Sequence, residues 1–264
     1  MKIRGYLHTV NILIIVLLFL FTTIGSSSIM ATGNSSSTAV YASDPVMIKV
    51  LIYNGYDALP GSVNGIKNSL SYANSHNTIP NVKFSYATSS YINSATLSSY
   101  DVLIMPGGAS GISYLRNPRI KGADIKKFVS SGKGYVGICA GSYAATYRVA
   151  GYYYGWGIAP HISSKAVSYV GQLPIAMTSN GINVLKYSGT QNVYHWNGPA
   201  MYINGPAFSM AKYANSKTRY MNYEAIVGDT YGAGRVVLSG PHPEISPTKP
   251  EMLARMIMWA SKKS

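Results

Sequence analysis

The chain has 264 residues, of which 47% are hydrophobic, and its 22 Lys and Arg residues outnumber its 8 Asp and Glu residues. This length and composition suit one globular domain with a sizeable core, and the basic surplus favours anionic partners such as wall polymers or lipid headgroups. The basic residues are scattered singly, which argues against a nucleic-acid-binding protein, and the single cysteine excludes a disulfide-stapled scaffold.

Residues 1–31 have the pattern of a signal peptide or an N-terminal anchor. A basic start, MKIRGYLHTV, precedes an apolar run at 12–21 and a stretch of small residues, and cleavage after Ala31 or Ala42 fits the small-x-small rule. The run is short for a membrane span, which needs about 20 apolar residues. A buried core helix would need a polar face, which this run lacks. We therefore expect a protein that is secreted, or tethered to the outer face of the membrane by an uncleaved N-terminal segment alone.

The remainder of the sequence divides into a Ser/Thr-rich linker at 32–45 and one domain at 46–264. From 47 onward, β-branched strand patterns alternate with helical spacing, which predicts an α/β fold with a mostly parallel sheet flanked by helices. Strands are predicted at 47–53, 82–87, 102–105 and 235–240, and helices around 63–73, at 120–129 and at 250–261. The Tyr-, Gly- and Asn-rich segment 151–223, with alternating runs at 166–170 and 175–178, predicts added antiparallel strands.

Cys139 lies in the run Gly137-Ile138-Cys139-Ala140-Gly141, between a predicted strand and a predicted helix. A nucleophile at such a sharp turn stands clear of the carboxyl edge of the sheet, where α/β proteins bind ligands. The flanking glycines permit a strained backbone, and the N-terminus of the following helix favours a thiolate and an oxyanion. A lone cysteine is more often a small buried apolar residue, so Cys139 as nucleophile needs a base nearby.

A candidate base follows the strand at 235–239, in the sequence Gly240-Pro241-His242-Pro243-Glu244. His242 and Glu244 are two residues apart in an extended segment, so both side chains leave the same side and can form a hydrogen bond. The chain has only 8 acidic residues, so an acidic residue two positions after His242 is not expected there by chance. A thiol nucleophile needs such a base and a third group to orient it.

The sequence Pro106-Gly107-Gly108 follows the strand that ends at Met105. A Gly-Gly pair at a strand tip can turn a backbone N–H towards a neighbouring site, and the N–H groups of Gly108 and Ala140 would then form a two-donor oxyanion hole. Alone, Pro-Gly-Gly is more simply interpreted as a turn.

The motifs MPGG, GICAGS and GPHPE, in this order and each after a strand, resemble those of the class I glutamine amidotransferase superfamily. Within it the chain is most similar to the family named after the N-terminal domain of biotin–protein ligases, and the segment QNVYHWNGPAMY at 191–202 also looks like that family. The likeness spans roughly 46–261. It implies a flavodoxin-like, class I glutamine amidotransferase-like fold.

Carried over residue by residue, the resemblance implies Cys139 as nucleophile, His242 as general base, Glu244 as orienter, and Gly108 and Ala140 as oxyanion donors. The peptidase-like branch of the superfamily usually has His directly after the nucleophile, and Ala140 in that position disfavours it. No synthetase domain follows in this chain to consume ammonia, and no biotin-ligase catalytic domain is present. The family name therefore carries no expectation about biotin.

Weaker candidates complete the predicted site. We assign Gly107, Ser142, His195 and Asn197 to the substrate pocket, although His195 is better explained as a structural histidine packed among aromatic rings. His161 has no acidic partner in sequence and is expected at the surface. One Cys, five scattered His and no His-x-x-x-His pair make no metal signature, so neither a metal nor a cofactor is expected.

These residues support two hypotheses for the function. The first is an exported cysteine hydrolase or amidase that cleaves an amide, γ-glutamyl or wall-peptide bond in a small-molecule or peptide substrate, including anionic cell-wall material. The second is a non-catalytic extracellular module of the same fold that binds a ligand in a Tyr-rich pocket. The spatial relation of Cys139, His242 and Glu244 separates the two hypotheses.

Overall fold

The computed structural model describes residues 44–263. The predicted signal or anchor segment and nearly all of the linker lie outside this range and stay predictions. The first half contains β1 (Val46–Tyr53), α1 (Pro60–Ser75), β2 (Val82–Ser89), α2 (Ser94–Leu97), β3 (Val102–Met105), α3 (Gly111–Arg116), α4 (Gly122–Ser130), β4 (Gly134–Ile138) and α5 (Ala140–Ala145).

The second half contains more strands than helices. Its elements are β5 (Thr146–Val149), β6 (Tyr153–Tyr154), β7 (Ala159–Lys165), β8 (Val170–Met177), α6 (Ser179–Leu185), β9 (Thr190–Trp196), β10 (Ala200–Ile203), β11 (Phe208–Tyr213), β12 (Glu224–Tyr231), β13 (Gly234–Ser239) and α7 (Pro250–Ser261).

A parallel sheet in the order β2-β1-β3-β4-β13 forms the centre of the fold, and this confirms the predicted mostly parallel α/β architecture. The second half of β1, from Val50 to Tyr53, shows why a central strand is continuously apolar. Ile48, Val50 and Ile52 pack into one apolar cluster, whereas Leu51 and Tyr53 pack into a second cluster. A strand covered on both faces has no solvated side, so its sequence does not alternate.

Further strands, antiparallel except for the parallel pair of β5 and β7, extend this sheet beyond β13. β12 pairs antiparallel with β13, and from it one branch runs through β10 to β7, β5 and β6, while a second runs through β11 and β8 to β9. The predicted antiparallel addition is therefore present. The run at 166–170 is not the predicted strand, because residues 166–169 form the connection between β7 and β8.

The sheet order brings the predicted motifs together. β4 lies between β3 and β13 in parallel register, with Met105 opposite Gly137 and Ser239 opposite Ile138. The loops that follow these three strands therefore leave the same edge of the sheet, at the carboxyl ends where α/β proteins bind ligands. No helix within residues 44–263 is both long and apolar enough to cross a membrane.

Candidate active site

Cys139 occupies a strained turn between β4 and α5, with φ 50° and ψ −106°. This positive φ is costly for a residue with a side chain and is typical of a position under functional constraint. The neighbouring glycines are required by space: a Cβ on Gly141 would lie 2.1 Å from the carbonyl oxygen of Met105, and one on Gly137 would lie 2.8 Å from the backbone of Gly141. The turn therefore forms only with this glycine spacing.

His242 and Glu244 form a buried pair in the loop after β13. Nδ1 of His242 lies 2.8 Å from Oε1 of Glu244, and each residue is 1% exposed. The backbone N–H of His242 donates to the carbonyl oxygen of Tyr194 in β9 at 2.7 Å, which fixes the loop against the antiparallel extension. The carboxylate thus orients the imidazole and leaves Nε2 as the ring nitrogen available for chemistry.

The surroundings of His242 favour its protonated form. Burial by itself lowers the pKa of the imidazole, but the Glu244 carboxylate and the adjacent Cys139 side chain outweigh burial and raise the pKa of His242 to about 10. Both Cys139 and His242 line the same cavity. The two side chains are therefore neighbours in one cavity, as a thiol nucleophile and its base must be.

The thiol of Cys139 has a competing acceptor in the structure. Sγ donates to the backbone carbonyl oxygen of Trp196 at 3.3 Å. Nε2 of His242 has no hydrogen-bond partner among the residues that the structure describes, and neither has Oε2 of Glu244. In this arrangement the thiol hydrogen bond therefore goes to Trp196 and not to His242.

Ser62, in the first turn of α1, belongs to the site although no sequence motif marked it. Its Oγ donates to Oε1 of Glu244 at 2.6 Å and accepts from the N–H of Gly107 at 3.0 Å. A Cβ on Gly65, one turn later, would lie 2.4 Å from the carbonyl oxygen of Glu244, so α1 packs directly on the carboxylate segment. Ser62 therefore connects the carboxylate to the glycine loop after β3.

The predicted oxyanion donors border the cavity with their amide groups uncommitted. Gly108 and Ala140 both line it. Within residues 44–263, the N–H of neither residue donates to another protein group, whereas the neighbouring Ala109 and Gly141 donate to Asp57 and Pro106. Their role in binding an oxyanion stays a prediction. Such a role requires free donors, and this arrangement provides them.

The cavity at Cys139 has a volume of about 620 Å³ and a largely apolar and aromatic wall. Leu59, Val149, Tyr143, Tyr153 and Val167 supply much of this wall, and Trp196 stands at its rim with 43% of its surface exposed. A cavity of this size and lining suits a small organic or peptide ligand.

The residues assigned to the pocket on sequence occupy different places. Asn197 lines the cavity, with a left-handed φ of 51°. Gly107 does not line it but packs under the base, since a Cβ there would lie 2.5 Å from Cε1 of His242. Ser142 is fully buried, and its hydroxyl lies 2.8 Å and 2.7 Å from the carbonyl oxygens of Gly137 and Ser239, so it ties the turn to the sheet.

His195 is packed behind the site as a structural histidine. It is fully buried against Tyr213, whose hydroxyl lies 3.4 Å from Nδ1, and it does not line the cavity. Burial, with a smaller contribution from His242, lowers the pKa of His195 to about 4, so the ring is neutral at physiological pH. A neutral ring is compatible with packing beside an imidazolium.

His161 has 31% of its side chain exposed, but it lies in β7 and has an acidic partner that local sequence did not reveal. Its Nδ1 lies 2.9 Å from Oδ1 of Asp229, a carboxylate 68 residues away that is 2% exposed, and its backbone N–H donates to the other oxygen. The partner could not be found from local sequence because β7 and β12 meet only through the folded sheet. This pair does not border the cavity of Cys139.

No cluster of three or more His, Cys, Asp or Glu side chains within 44–263 is placed to hold a metal ion. This observation concerns the geometry of the described side chains only. The expectation that no metal or cofactor takes part stays a prediction.

Comparison with known proteins agrees with the predicted resemblance over part of the sequence and in the fold. Residues 48–155 match the family model described as "Biotin-protein ligase, N terminal". No curated protein sequence matches the chain.

Solved structures of low sequence identity share the fold. PurLQS from Thermotoga maritima superposes with a TM-score of 0.58 at 13% identity, over 80% of this chain and 97% of the other. A glutamine amidotransferase from the same organism gives 0.51 at 14% identity, over 81% and 82% of the two chains. A β-galactosidase from Rahnella sp. R3 gives 0.56 at 16% identity, over 82% of this chain but 31% of that enzyme.

Proposed function

We propose that this protein is an exported cysteine-dependent hydrolase or amidase that cleaves an amide, γ-glutamyl or wall-peptide bond. The observation that carries the proposal is the joint placement of Cys139 and His242 in one cavity, with His242 held by Glu244 at 2.8 Å. A glutamine amidotransferase-like fold agrees with amide chemistry, and the export is expected from residues 1–31.

In the proposed reaction, His242 takes the thiol proton and the Cys139 sulfur attacks the amide carbonyl carbon. The resulting oxyanion accepts hydrogen bonds from the N–H groups of Gly108 and Ala140. Collapse of this intermediate breaks the C–N bond, the imidazolium gives its proton to the leaving amine, and a thioester remains. Water deprotonated by His242 then cleaves the thioester, releases the carboxylic acid and regenerates the thiol.

Alkylation of the thiol tests the proposal without knowledge of the substrate. Because its surroundings raise the pKa of His242, a positively charged imidazolium lies beside Cys139 at neutral pH and favours attack by the sulfur. We expect iodoacetamide to modify Cys139 faster than free cysteine at about pH 6, where an ordinary thiol is almost fully protonated. Mass spectrometry of the modified chain locates and quantifies the adduct.

A matched pair of histidine variants controls this measurement. His242→Gln should slow the alkylation at about pH 6 by about tenfold or more, towards the rate of free cysteine. His161→Gln removes another histidine that is paired with a buried carboxylate, but one outside the cavity, and should leave the rate unchanged. Equal rates in wild type and His242→Gln would contradict the proposal.

A ligand-binding module on the same fold is the second candidate, and the hydrogen bond from the Cys139 thiol to Trp196 favours it. In that arrangement the thiol is held away from its base and the aromatic cavity alone serves the function. A thioester adduct of Cys139, trapped in the wild-type chain by acid quenching during turnover and absent from the Cys139→Ala variant, would decide for the hydrolase. Reversible binding with no turnover by the wild-type chain would decide for the module.

A further inference from the structure

The catalytic cavity adjoins a second cavity that the proposed reaction does not use. This second cavity, of about 420 Å³, shares Tyr152, Ala166, Val167 and Asn197 with the wall of the first. Its remaining lining comes from Ser168 and from Lys217, Thr218, Arg219 and Tyr220, in the connection between β11 and β12. A ligand bound at Cys139 can therefore extend over the shared wall to these residues.

The connection that carries Lys217 and Arg219 is anchored in the protein. Asn215 and Thr218 are 8% and 9% exposed, and the N–H of Thr218 donates to Oδ1 of Asn215 at 3.1 Å. Lys217 and Arg219 are exposed on either side of Thr218, and the guanidinium of Arg219 lies 5.7 Å from the ring centroid of Tyr220. The buried residues Asn215 and Thr218 thus fix the backbone that carries both cations at the cavity wall.

These two cations have no acidic partner within residues 44–263. Among the described lysines, acidic partners are found only for Lys212 with Glu224 at 2.6 Å and for Lys133 and Lys263, both with Asp101. Neither Lys217 nor Arg219 takes part in an ion pair of the described structure, and no carboxylate lines the second cavity. The wall of this cavity therefore carries uncompensated positive charge.

We propose that the second cavity binds an anionic group of the substrate, a carboxylate or a phosphate, held by Lys217 and Arg219. A guanidinium fork matches either group, and a lysine beside it adds a point charge. The substrate class is then an amide with a neutral or apolar part at Cys139 and a negative charge farther along the same molecule. This inference rests on the proposed function for its reaction, but the anion site can be measured separately.

The test uses bromoacetyl peptides, in which the Cys139 sulfur displaces bromide to form a thioether. Bromoacetyl-glycine, -diglycine and -triglycine are compared as free carboxylates, as carboxamides and with a terminal phosphonate. At the length that reaches the second cavity, we expect the anionic probe to label Cys139 about fivefold faster than the carboxamide at low salt, and less so at high salt. Whichever probe labels Cys139 faster, the carboxylate or the phosphonate, identifies the anionic group that the second cavity prefers.

Charge-matched variants control for the overall basicity of the chain. Lys217→Gln with Arg219→Gln should abolish the preference for the anionic probe. Lys126→Gln with Lys127→Gln removes the same charge from α4, outside both cavities. This double variant should still prefer the anionic probe. Equal labelling by acid and amide at every length, or an equal loss in both double variants, overturns the inference.

Binding to the Cys139→Ala variant separates this inference from the proposed function. Acetyl peptides ending in carboxylate, phosphonate or carboxamide are titrated by the change in tryptophan fluorescence, since Trp196 lines the catalytic cavity. Tighter binding of an anion, lost on adding Lys217→Gln and Arg219→Gln, supports the anion site even if Cys139 proves unreactive. The absence of any such preference rejects the anion site even if Cys139 is a fast nucleophile.

Discussion

At the scale of single residues, the site depends on one buried hydrogen-bond chain. The N–H of Gly107 donates to Ser62, Ser62 donates to Glu244, and Glu244 accepts from Nδ1 of His242. Each link joins a different segment of the chain. A buried network of this kind is worth more than its separate bonds, because a missing member leaves a charged group without a partner.

The Ser62→Ala variant tests this chain. Loss of the hydroxyl leaves the Gly107 N–H and one lone pair of Glu244 unpaired, so His242 should be less well oriented. We expect alkylation of Cys139 at about pH 6 to slow by about tenfold, equivalent to about 1.4 kcal/mol.

The pH profile of alkylation distinguishes positioning from simple loss of stability. Ser62→Ala should shift the profile towards alkaline pH, and Ser62→Thr, which keeps the hydroxyl, should restore part of it. Ser69→Ala removes another buried serine of α1 and should leave the profile in place. An unchanged profile in Ser62→Ala would show that the serine is only structural.

At the scale of elements, Asp101 joins four segments of the parallel half. Its carboxylate accepts from the backbone N–H of Lys49 in β1 at 2.9 Å and pairs with Lys133, before β4, and with Lys263, after α7. Burial opposes the charge of Asp101, but Lys263, the N–H of Lys49 and Lys133 together lower the pKa of this carboxyl. The end of α7 is thereby attached to the first strand.

Asp101→Asn should lower the free energy of unfolding by about 1 to 2 kcal/mol at neutral pH. A carboxyl with a lowered pKa in the folded state stabilises the fold above its unfolded pKa, and this contribution is lost as the pH falls through the folded value. The difference between wild type and Asp101→Asn in urea unfolding should therefore shrink as the pH falls below the usual range of an aspartate and vanish below the folded pKa. A difference that persists unchanged in acid would contradict this electrostatic origin.

At the scale of the whole molecule, the antiparallel extension completes the site that the parallel half begins. In β9, the carbonyl oxygen of Tyr194 accepts a hydrogen bond from the backbone N–H of His242, and that of Trp196 accepts one from the thiol of Cys139. The connection after β9 packs on the loop after β13 without space between them: a Cβ on Gly198 would lie 1.9 Å from the carbonyl oxygen of Gly240. The position of His242 thus depends on strands far from it in sequence.

Gly198→Ala should disturb both stability and chemistry. The added methyl group must push the segment at Gly240 away, which we expect to cost about 1 to 3 kcal/mol in the free energy of unfolding and to slow alkylation of Cys139. Gly61→Ala, in α1, adds the same group where no atom lies within 4 Å and should change neither. Wild-type reactivity in Gly198→Ala would mean that the extension does not position His242.

The sequence alone predicted the parallel half of the fold and the residues of the proposed triad. Strand and helix patterns in this half are local and strong, and the three motifs each follow a strand, so a parallel sheet necessarily brings them to one edge. The prediction was weaker where partners are distant. The run at 166–170 has the alternation of a strand, but residues 166–169 form the connection between β7 and β8, where Ala166 and Val167 line the cavity.

Only the tertiary structure could decide which polar groups meet. Ser62 has the composition of any helical serine and reaches Glu244 across 182 positions, and Asp229 reaches His161 across 68. Ser142 and His195 carry the chemistry of pocket residues, but packing turns Ser142 towards the sheet and His195 into a ring cluster. Residue type and spacing therefore determine the available chemistry, whereas burial and the pairing of distant strands determine where that chemistry is used.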